Sequence, residues 1–229
     1  AAITAELAKG NSIRKSIEKA SNFMVDAVRG RLKIGRGVNT VNPMARMWNV
    51  TGDGEEIEEV QKAAKNLVCS PEFAKLIPEV GSNIAMAKKD ASNVDDVAGL
   101  TGRIVKVKEN PHMTGIPDFG GSEHVANIIL TAMSEDKKTR SAMNIKFSEE
   151  ILEICEELEY DFSSFERRNE PENVRTMNWG TKRAIEKFGR VPDIIYDRGG
   201  IGKEPMVRIL GRKATDVAEI ALKIGKKLD

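Results

Sequence analysis

Aromatic side chains make up only 5% of this 229-residue chain, which also holds just two cysteines and two histidines. Each shortage closes off some chemistry. Cys69 and Cys155 are too few for a disulfide framework or a four-cysteine zinc site, and both fall in segments that read as helical, so buried structural thiols are expected. His112 and His124 cannot build the three-histidine clusters of zinc hydrolases, so no zinc is expected. No apolar run approaches the roughly 20 residues that span a bilayer, and the opening AAITAELAKG lacks the basic region and apolar stretch of a signal peptide. A cytoplasmic protein with no membrane partner is the expectation. Nor is one sign of charge in excess: 36 Lys+Arg stand against 35 Asp+Glu. Residues 1–54 carry nine basic and four acidic side chains, and residues 55–229 carry 27 and 31, without the basic clusters and aromatic platforms of a nucleic-acid binder. No nucleic-acid partner is expected.

What is present is the balance of a globular protein, 40% apolar and 31% charged. The chain opens with AITAELAKG, a helix stopping at Gly10, and SIRKSIEKASNFMVDAVRG, a helix capped by Ser12 and ending at Gly30. Ile13, Ile17, Phe23, Met24 and Val28 give the second helix an apolar face, yet two helices cannot bury such faces alone, so the piece reads as cut from a larger fold. A glycine-punctuated connector follows over about 31–54, with Trp48 inside it. From Glu55 helices and strands alternate. Helices are expected at 55–70, 122–133, 148–158, 181–188 and 215–227, and a short one at Pro71. Strands are expected in SNIAMA, GRIVKVK and AMNIKF, near 160–165, and over 193–197 and 205–210. Only seven residues, 198–204, join the last two strands, too few for a helical crossover, so that pair should be antiparallel. An α/β fold with helical layers on both sides of a mixed sheet is implied.

Several loops could hold an anion. In YDRGGIGKEPM the backbone of Gly199, Gly200 and Gly202 could form a nest, with Asp197, Arg198, Lys203 and Glu204 beside it. The alternative is a wide hairpin whose glycines serve only geometry. The segment is not a Walker loop, since Asp197 stands where that motif needs glycine and Pro205 and a strand follow. FGGSEHVANIIL places Gly120, Gly121 and Ser122 at a helix N-terminus, with His124 in its first turn. There the alternatives are an ordinary serine cap and a structural histidine. PEVGSNIAMA sets Gly81, Ser82 and Asn83 before a strand, and Arg103 opens GRIVKVK, either as a phosphate ligand or as a surface charge. Asn144, in mid-strand, either braces a loop or touches a ligand. In TMNWGT, Gly180 reads as a turn glycine and Thr181 as a cap, with Trp179 packing or stacking on a ring.

Two resemblances sharpen this. Residues 1–48, with AAITAELAKG and GRGVNTVNP, resemble the extreme C-terminus of ribokinase-like hydroxymethylpyrimidine kinases; this implies a remnant over 1–54 that lacks the catalytic loop and phosphorylates nothing. Residues 55–229 resemble the archaeal-type thiamine-phosphate synthase domain, through PEVGSNIAMA, GRIVKVK, PDFGGSEHVA, AMNIKFSEEIL, SFERRNEP, TMNWGT and VPDIIYDRGGIGKEPMVRILG. The resemblance implies a three-layer α/β/α fold, like that of class II aldolases, with a mixed, mostly antiparallel sheet. The implied reaction joins hydroxymethylpyrimidine diphosphate to thiazole phosphate, with Arg103, His124 and Lys203 as catalytic candidates and the glycine loops, Asn144, Asp197, Arg198 and Glu204 as substrate contacts. It also implies Mg2+ held without a protein cage, an upstream kinase domain in the parent chain, and an open choice between monomer and homodimer. The rival is a sensor: the same domain type follows DNA-binding modules and binds thiamine phosphates there.

Overall fold

A computed structural model describes residues 1–30, 37, 40–45, 54–169, 176–200 and 202–228. They divide into two compact units, 1–55 and 56–229. Most of the connector expected over 31–54, Trp48 included, lies outside the described residues. In the first unit α1 (Ala2–Ala8) leads through Gly10, at φ +83°, to α2 (Ile13–Arg29). Ser12 caps α2, its Oγ accepting from the Lys15 amide at 3.4 Å. Ser16, Ala20, Asp26 and Ala27 are buried, whereas Ile13, Ile17, Met24 and Val28 are exposed.

The larger unit runs from α3 (Glu55–Val68) through a 3-10 turn at Pro71–Leu76 into a seven-stranded sheet. Its strands are β1 (Ile84–Ala87), β2 (Val97–Leu100), β5 (Pro117–Phe119), β6 (Ser141–Lys146), β7 (Phe162–Ser164), β8 (Ile194–Asp197) and β9 (Met206–Gly211). The spatial order is β5-β2-β1-β6-β9-β8-β7, antiparallel at every step except β8 with β7. That parallel pair has the long crossover it needs, which carries α6 (Thr176–Phe188). The β8–β9 pair is antiparallel, as its short connection, residues 198–205, requires. The remaining helices are α4 (Glu123–Glu135), α5 (Glu149–Glu157) and α7 (Ala214–Lys227).

Strand alternation sends successive side chains to opposite faces, and two cores result. On one face Met86, Leu100, Met143, Ile145, Val207 and Ile209 pack with α3, α5 and α7. On the other Ala85, Val97, Ala142, Ile195 and Leu210 pack with α4 and α6. The small residues of β1 and β6 on that second face let α4, with Val125, Ile128 and Ile129 buried, approach closely. α5 starts where the sequence indicates, the Ser148 Oγ accepting from the Ile151 amide at 3.1 Å.

Several expectations are revised. The strand in GRIVKVK is β3 (Ile104–Val107), which stands outside the main sheet in a two-stranded hairpin with β4 (Asn110–Met113). α6 begins five residues before 181, so Gly180 and Thr181 are helix-interior residues and not a turn and its cap. Gly180 is there because a Cβ would sit 2.4 Å from the Phe165 ring. Cys155 is buried, as expected, but Cys69 is exposed.

Candidate active site

Following each strand of the second face one step beyond its apolar residues reaches a polar band. Asn83 lies two residues before Ala85, Asn144 two after Ala142, Arg208 two before Leu210 and Asp197 two after Ile195; all four are buried. Antiparallel pairing puts these positions at one end of the sheet, where Asn144 and Arg208 stand opposite each other. Over this end lies a cleft of about 650 Å3, lined among others by Asn83, Arg103, Ser122, His124, Arg167 and Lys203. With that cleft as the inner lobe, a second, outer lobe of about 670 Å3 includes Phe165, Arg168, Tyr196, Arg198, Gly199 and Gly200 in its lining. Arg167 and Lys203 line both lobes.

Arg103, His124 and Lys203 thus converge on one cleft from three separate segments. Arg103 immediately precedes β3, and its Nη1 donates to the Val80 carbonyl at 2.6 Å. Gly81 makes room for that side chain: its φ is +80°, and a Cβ there would stand 3.2 Å from the Arg103 Cβ and Cδ. His124 sits in the first turn of α4, exposed, and lines the inner lobe. Desolvation by the surrounding wall, and after it the charges of Arg208, Arg167 and Arg103, lower its pKa to about 4. At neutral pH it is therefore an uncharged imidazole, able to donate one hydrogen bond and accept another.

Other sequence candidates brace the site instead of lining it. Asn144 resolves to the loop-bracing alternative, its Oδ1 accepting from the Asn83 amide at 2.8 Å and its Nδ2 donating to the Gly81 carbonyl at 3.0 Å. Asn83 touches the cleft, but its Nδ2 donates to the Leu100 and Gly102 carbonyls, both at 2.9 Å, and its Oδ1 accepts from the Leu100 amide. It ties the end of β2, and with it the Thr101–Arg103 segment, to the start of β1. Ser82 is wholly buried. Glu204 accepts from the amides of Glu79 and Val80 and so holds the loop before Gly81.

Of the two readings of the segment after β8, the hairpin whose glycines serve geometry holds for Gly199 and Gly200. Gly199 donates its amide to the Asp197 carboxylate at 2.8 Å, and Gly200 donates to the Lys203 carbonyl at 3.0 Å, so neither amide is turned to a ligand. Gly199 must be glycine, because its φ is +75° and a Cβ there would stand 2.6 Å from the Lys203 carbonyl oxygen. Gly202 is exposed and does not line either lobe, and Arg198 in the outer lobe is paired with Glu149. At the α4 terminus the Gly120 and Gly121 amides likewise go to the carbonyls of Val97 and Asp118. Gly121 and Ser122 line the inner lobe, and the Ser122 hydroxyl does not cap the helix. The first-turn amides of α4 therefore receive no cap from it, which favours an anion at that end.

Two arginines of the site were not among the sequence candidates. Arg208 is fully buried within β9, with Nη2 2.7 Å from the Asp197 carboxylate, Nη1 donating to the Met206 carbonyl and the guanidinium 5.2 Å from the Phe165 ring. Arg167, at the start of a 3-10 turn (Arg167–Asn169), grips Asp197 with Nε at 2.6 Å and Nη2 at 3.1 Å. Asp197 is thus committed to two arginines. Burial alone would raise its pKa, but these partners hold it below the usual carboxylate value. The available signal was Arg208 itself, a charge in the otherwise apolar run MVRIL.

Comparison with known proteins places this architecture. The family model of thiamine-phosphate synthase ThiN matches residues 59–223. The chain belongs to the ThiN family. Thiamine-phosphate synthase ThiN of Methanothermobacter thermautotrophicus is 40% identical over 177 residues, covering 75% of this chain and 93% of that protein. A bifunctional thiamine biosynthesis protein, ThiDN, of Methanocaldococcus jannaschii is 44% identical over 224 residues, covering 95% of this chain. The chain spans about half the length of that bifunctional relative, 50% of it. The crystal structure of the C-terminal domain of a phosphomethylpyrimidine kinase superposes with a TM-score of 0.68 at 38% identity, covering 73% of this chain and 97% of that one. The two-lobed cleft, from Asn83 to Lys203, lies wholly within the matched ThiN residues.

Proposed function

We propose that this ThiN domain condenses hydroxymethylpyrimidine diphosphate with thiazole phosphate to give thiamine phosphate and diphosphate. The observation that carries the reading is the convergence of Arg103, His124, Arg167 and Lys203 on one cleft at the α4 N-terminus. In the reaction the bond between the pyrimidine methylene carbon and the diphosphate oxygen breaks, its electron pair leaving on oxygen. The thiazole nitrogen then forms the new carbon–nitrogen bond with its lone pair. Charge develops on the departing oxygen, so cations and hydrogen-bond donors fixed around it lower the barrier. Arg103 supplies charge and a planar fork, Lys203 a second charge, and neutral His124 a donor to a phosphoryl oxygen. Holding the two rings in line contributes further, by converting an encounter into a step within one complex.

Mg2+ is proposed as the accompanying ion. Among the described residues no group of three His, Cys, Asp or Glu could hold a metal, and Asp197 is occupied by arginines, so the ion would enter on the substrate diphosphate with Glu123 the carboxylate on the inner wall. It would supply further charge neutralisation to the leaving group. Residues 1–54 are proposed to continue a kinase half of the kind fused in bifunctional relatives, the parent protein then carrying both activities in the cytoplasm. No helix among the described residues is long and apolar enough to cross a membrane.

The test is direct. Incubation with the pyrimidine diphosphate, thiazole phosphate and Mg2+ should release thiamine phosphate and diphosphate in equal amounts. Tight binding of thiamine phosphate by the folded protein without turnover would instead make the domain a sensor.

A further inference from the structure

The cations of the two lobes are paired in different ways. In the outer lobe Arg198 is paired with Glu149 and Arg168 with Glu166, so both cations are locally neutralised. Phe165 and Tyr196 are also among the residues of that lobe. Around the inner lobe, where Glu123 and Lys203 also line the wall, Arg103 makes its bond to a neutral carbonyl, and beneath them Asp197 must serve both Arg167 and Arg208. One carboxylate between two guanidiniums leaves a surplus positive charge beneath the cleft floor. A buried charge without its counterion is costly, and Arg208 in addition has an Nε with no hydrogen-bond partner. An anion in the cleft would supply what this trio lacks.

Resting on the synthase reading, we propose that Arg167 is a further catalytic residue that contacts the departing diphosphate at the junction of the two lobes, and that Asp197 and Arg208 are its positioning residues. Arg167 lines both lobes and spends Nε and Nη2 on Asp197, a pairing that leaves Nη1 outside it. The bidentate grip fixes the guanidinium plane. Arg208, locked beneath Asp197, keeps the carboxylate from being neutralised by Arg167 alone, so the assembly stays cationic when no ligand is bound. As the methylene–oxygen bond breaks, the electron pair that moves onto diphosphate meets this surplus charge.

The experiment measures both binding of inorganic diphosphate by calorimetry and steady-state synthesis of thiamine phosphate, for the wild-type chain, Arg167→Ala, Arg167→Lys and the double variant Arg167→Ala/Asp197→Asn. Arg167→Ala leaves Asp197 paired with Arg208 and is expected to fold. Its diphosphate affinity should fall about 10-fold or more, and its kcat about 10²-fold, more than KM rises. Arg167→Lys should recover part of the binding but little of kcat, because a point charge cannot reproduce the fork. Ethylguanidinium should partly restore kcat in Arg167→Ala, where Asp197 can still hold it, and should do nothing in the double variant. If the double variant does not fold, saturable rescue of Arg167→Ala alone, set beside no rescue by ethylammonium, carries the same information. Wild-type diphosphate binding that depends on Arg167 with no synthesis would sustain the anion site and sink the synthase reading. Synthesis and diphosphate binding that survive Arg167→Ala within about twofold, or a wild-type chain that binds no diphosphate, would overturn the proposal.

Discussion

Replacing Asn83 by alanine tests how the cleft is held together, because one amide group links three pieces of chain. Its Nδ2 bridges the carbonyls of Leu100 and Gly102 and its Oδ1 takes the Leu100 amide, all between 2.9 and 3.1 Å. The residue is only 7% exposed, so water cannot replace these bonds without opening the site. At about 0.5–1.5 kcal/mol for each of three bonds, with Leu100 left unsatisfied in a buried position, the loss should be about 2–4 kcal/mol. Urea unfolding with linear extrapolation measures it. Turnover should fall about 10-fold or more, because the freed Thr101–Arg103 segment no longer fixes the Arg103 guanidinium. Asn83→Asp adds a sign. A carboxylate there would face two carbonyls, so its folded-state pKa would rise above the unfolded value of about 4. The folded state would then bind the extra proton, and the variant's stability deficit should shrink as pH falls through that raised pKa and be complete above it. An alanine variant within about 0.5 kcal/mol of wild type and fully active would refute the bracing role.

Three further outcomes are expected. The His124 pKa, lowered to about 4, makes the unfolded chain the better proton binder between about pH 6.5 and 4; the stability tied to neutral His124 is complete above that window and lost as pH falls through it. Imidazole resonances followed by NMR should show His124 uncharged from about pH 5.5 upward in the free protein and shifted toward the charged form by added diphosphate; an inflection near about 7 without ligand would contradict this. Burial lifts the Cys155 thiol to about 12, so a thiol reagent at about pH 8 should label only exposed Cys69 until the protein is unfolded, and labelling of two thiols in the native state would count against the packing. Gly121→Ala would place a Cβ 2.2 Å from the Gly99 carbonyl oxygen, forcing the start of α4 away from β2 at a cost of about 1–3 kcal/mol; activity should drop with it, and a variant of native melting temperature and full turnover would show that α4 does not set the His124 position.

Much of the fold could be read from period and punctuation, and the misses have physical causes. Long amphipathic segments such as α3, α5 and α7 carry enough repeats to declare themselves, and the short connection between β8 and β9 dictated their antiparallel pairing. β2, β4 and β5 went unread because they are only three or four residues long and their sequences, VAGL, NPHM and PDF, hold glycine or proline where propensity expects a branched or aromatic side chain. The α6 start was misplaced because Gly180 looks like a helix end; what keeps it inside the helix is the Phe165 ring, a contact between residues fifteen apart that no local pattern displays.

The site follows the same division. Glycines in sequence advertise backbone freedom, but whether their amides face a ligand depends on acceptors elsewhere, and here Asp197, Lys203, Val97 and Asp118 take those of Gly199, Gly200, Gly120 and Gly121. The more informative signal lay in the strands. Each of Asn83, Asn144, Arg208 and Asp197 continues, in steps of two, the face on which Ala85, Ala142, Leu210 and Ile195 meet α4 and α6. A polar residue breaking an apolar alternation near a strand end must be satisfied by its neighbours or by a ligand. When four such breaks line up across adjacent strands they satisfy one another almost completely. The asparagines close on backbone and Asp197 on arginines, and what is left over is positive charge. The sheet end is therefore rigid before any substrate arrives and electrostatically incomplete until an anion does, which is the condition under which a fixed site stabilises a departing diphosphate without having to rearrange.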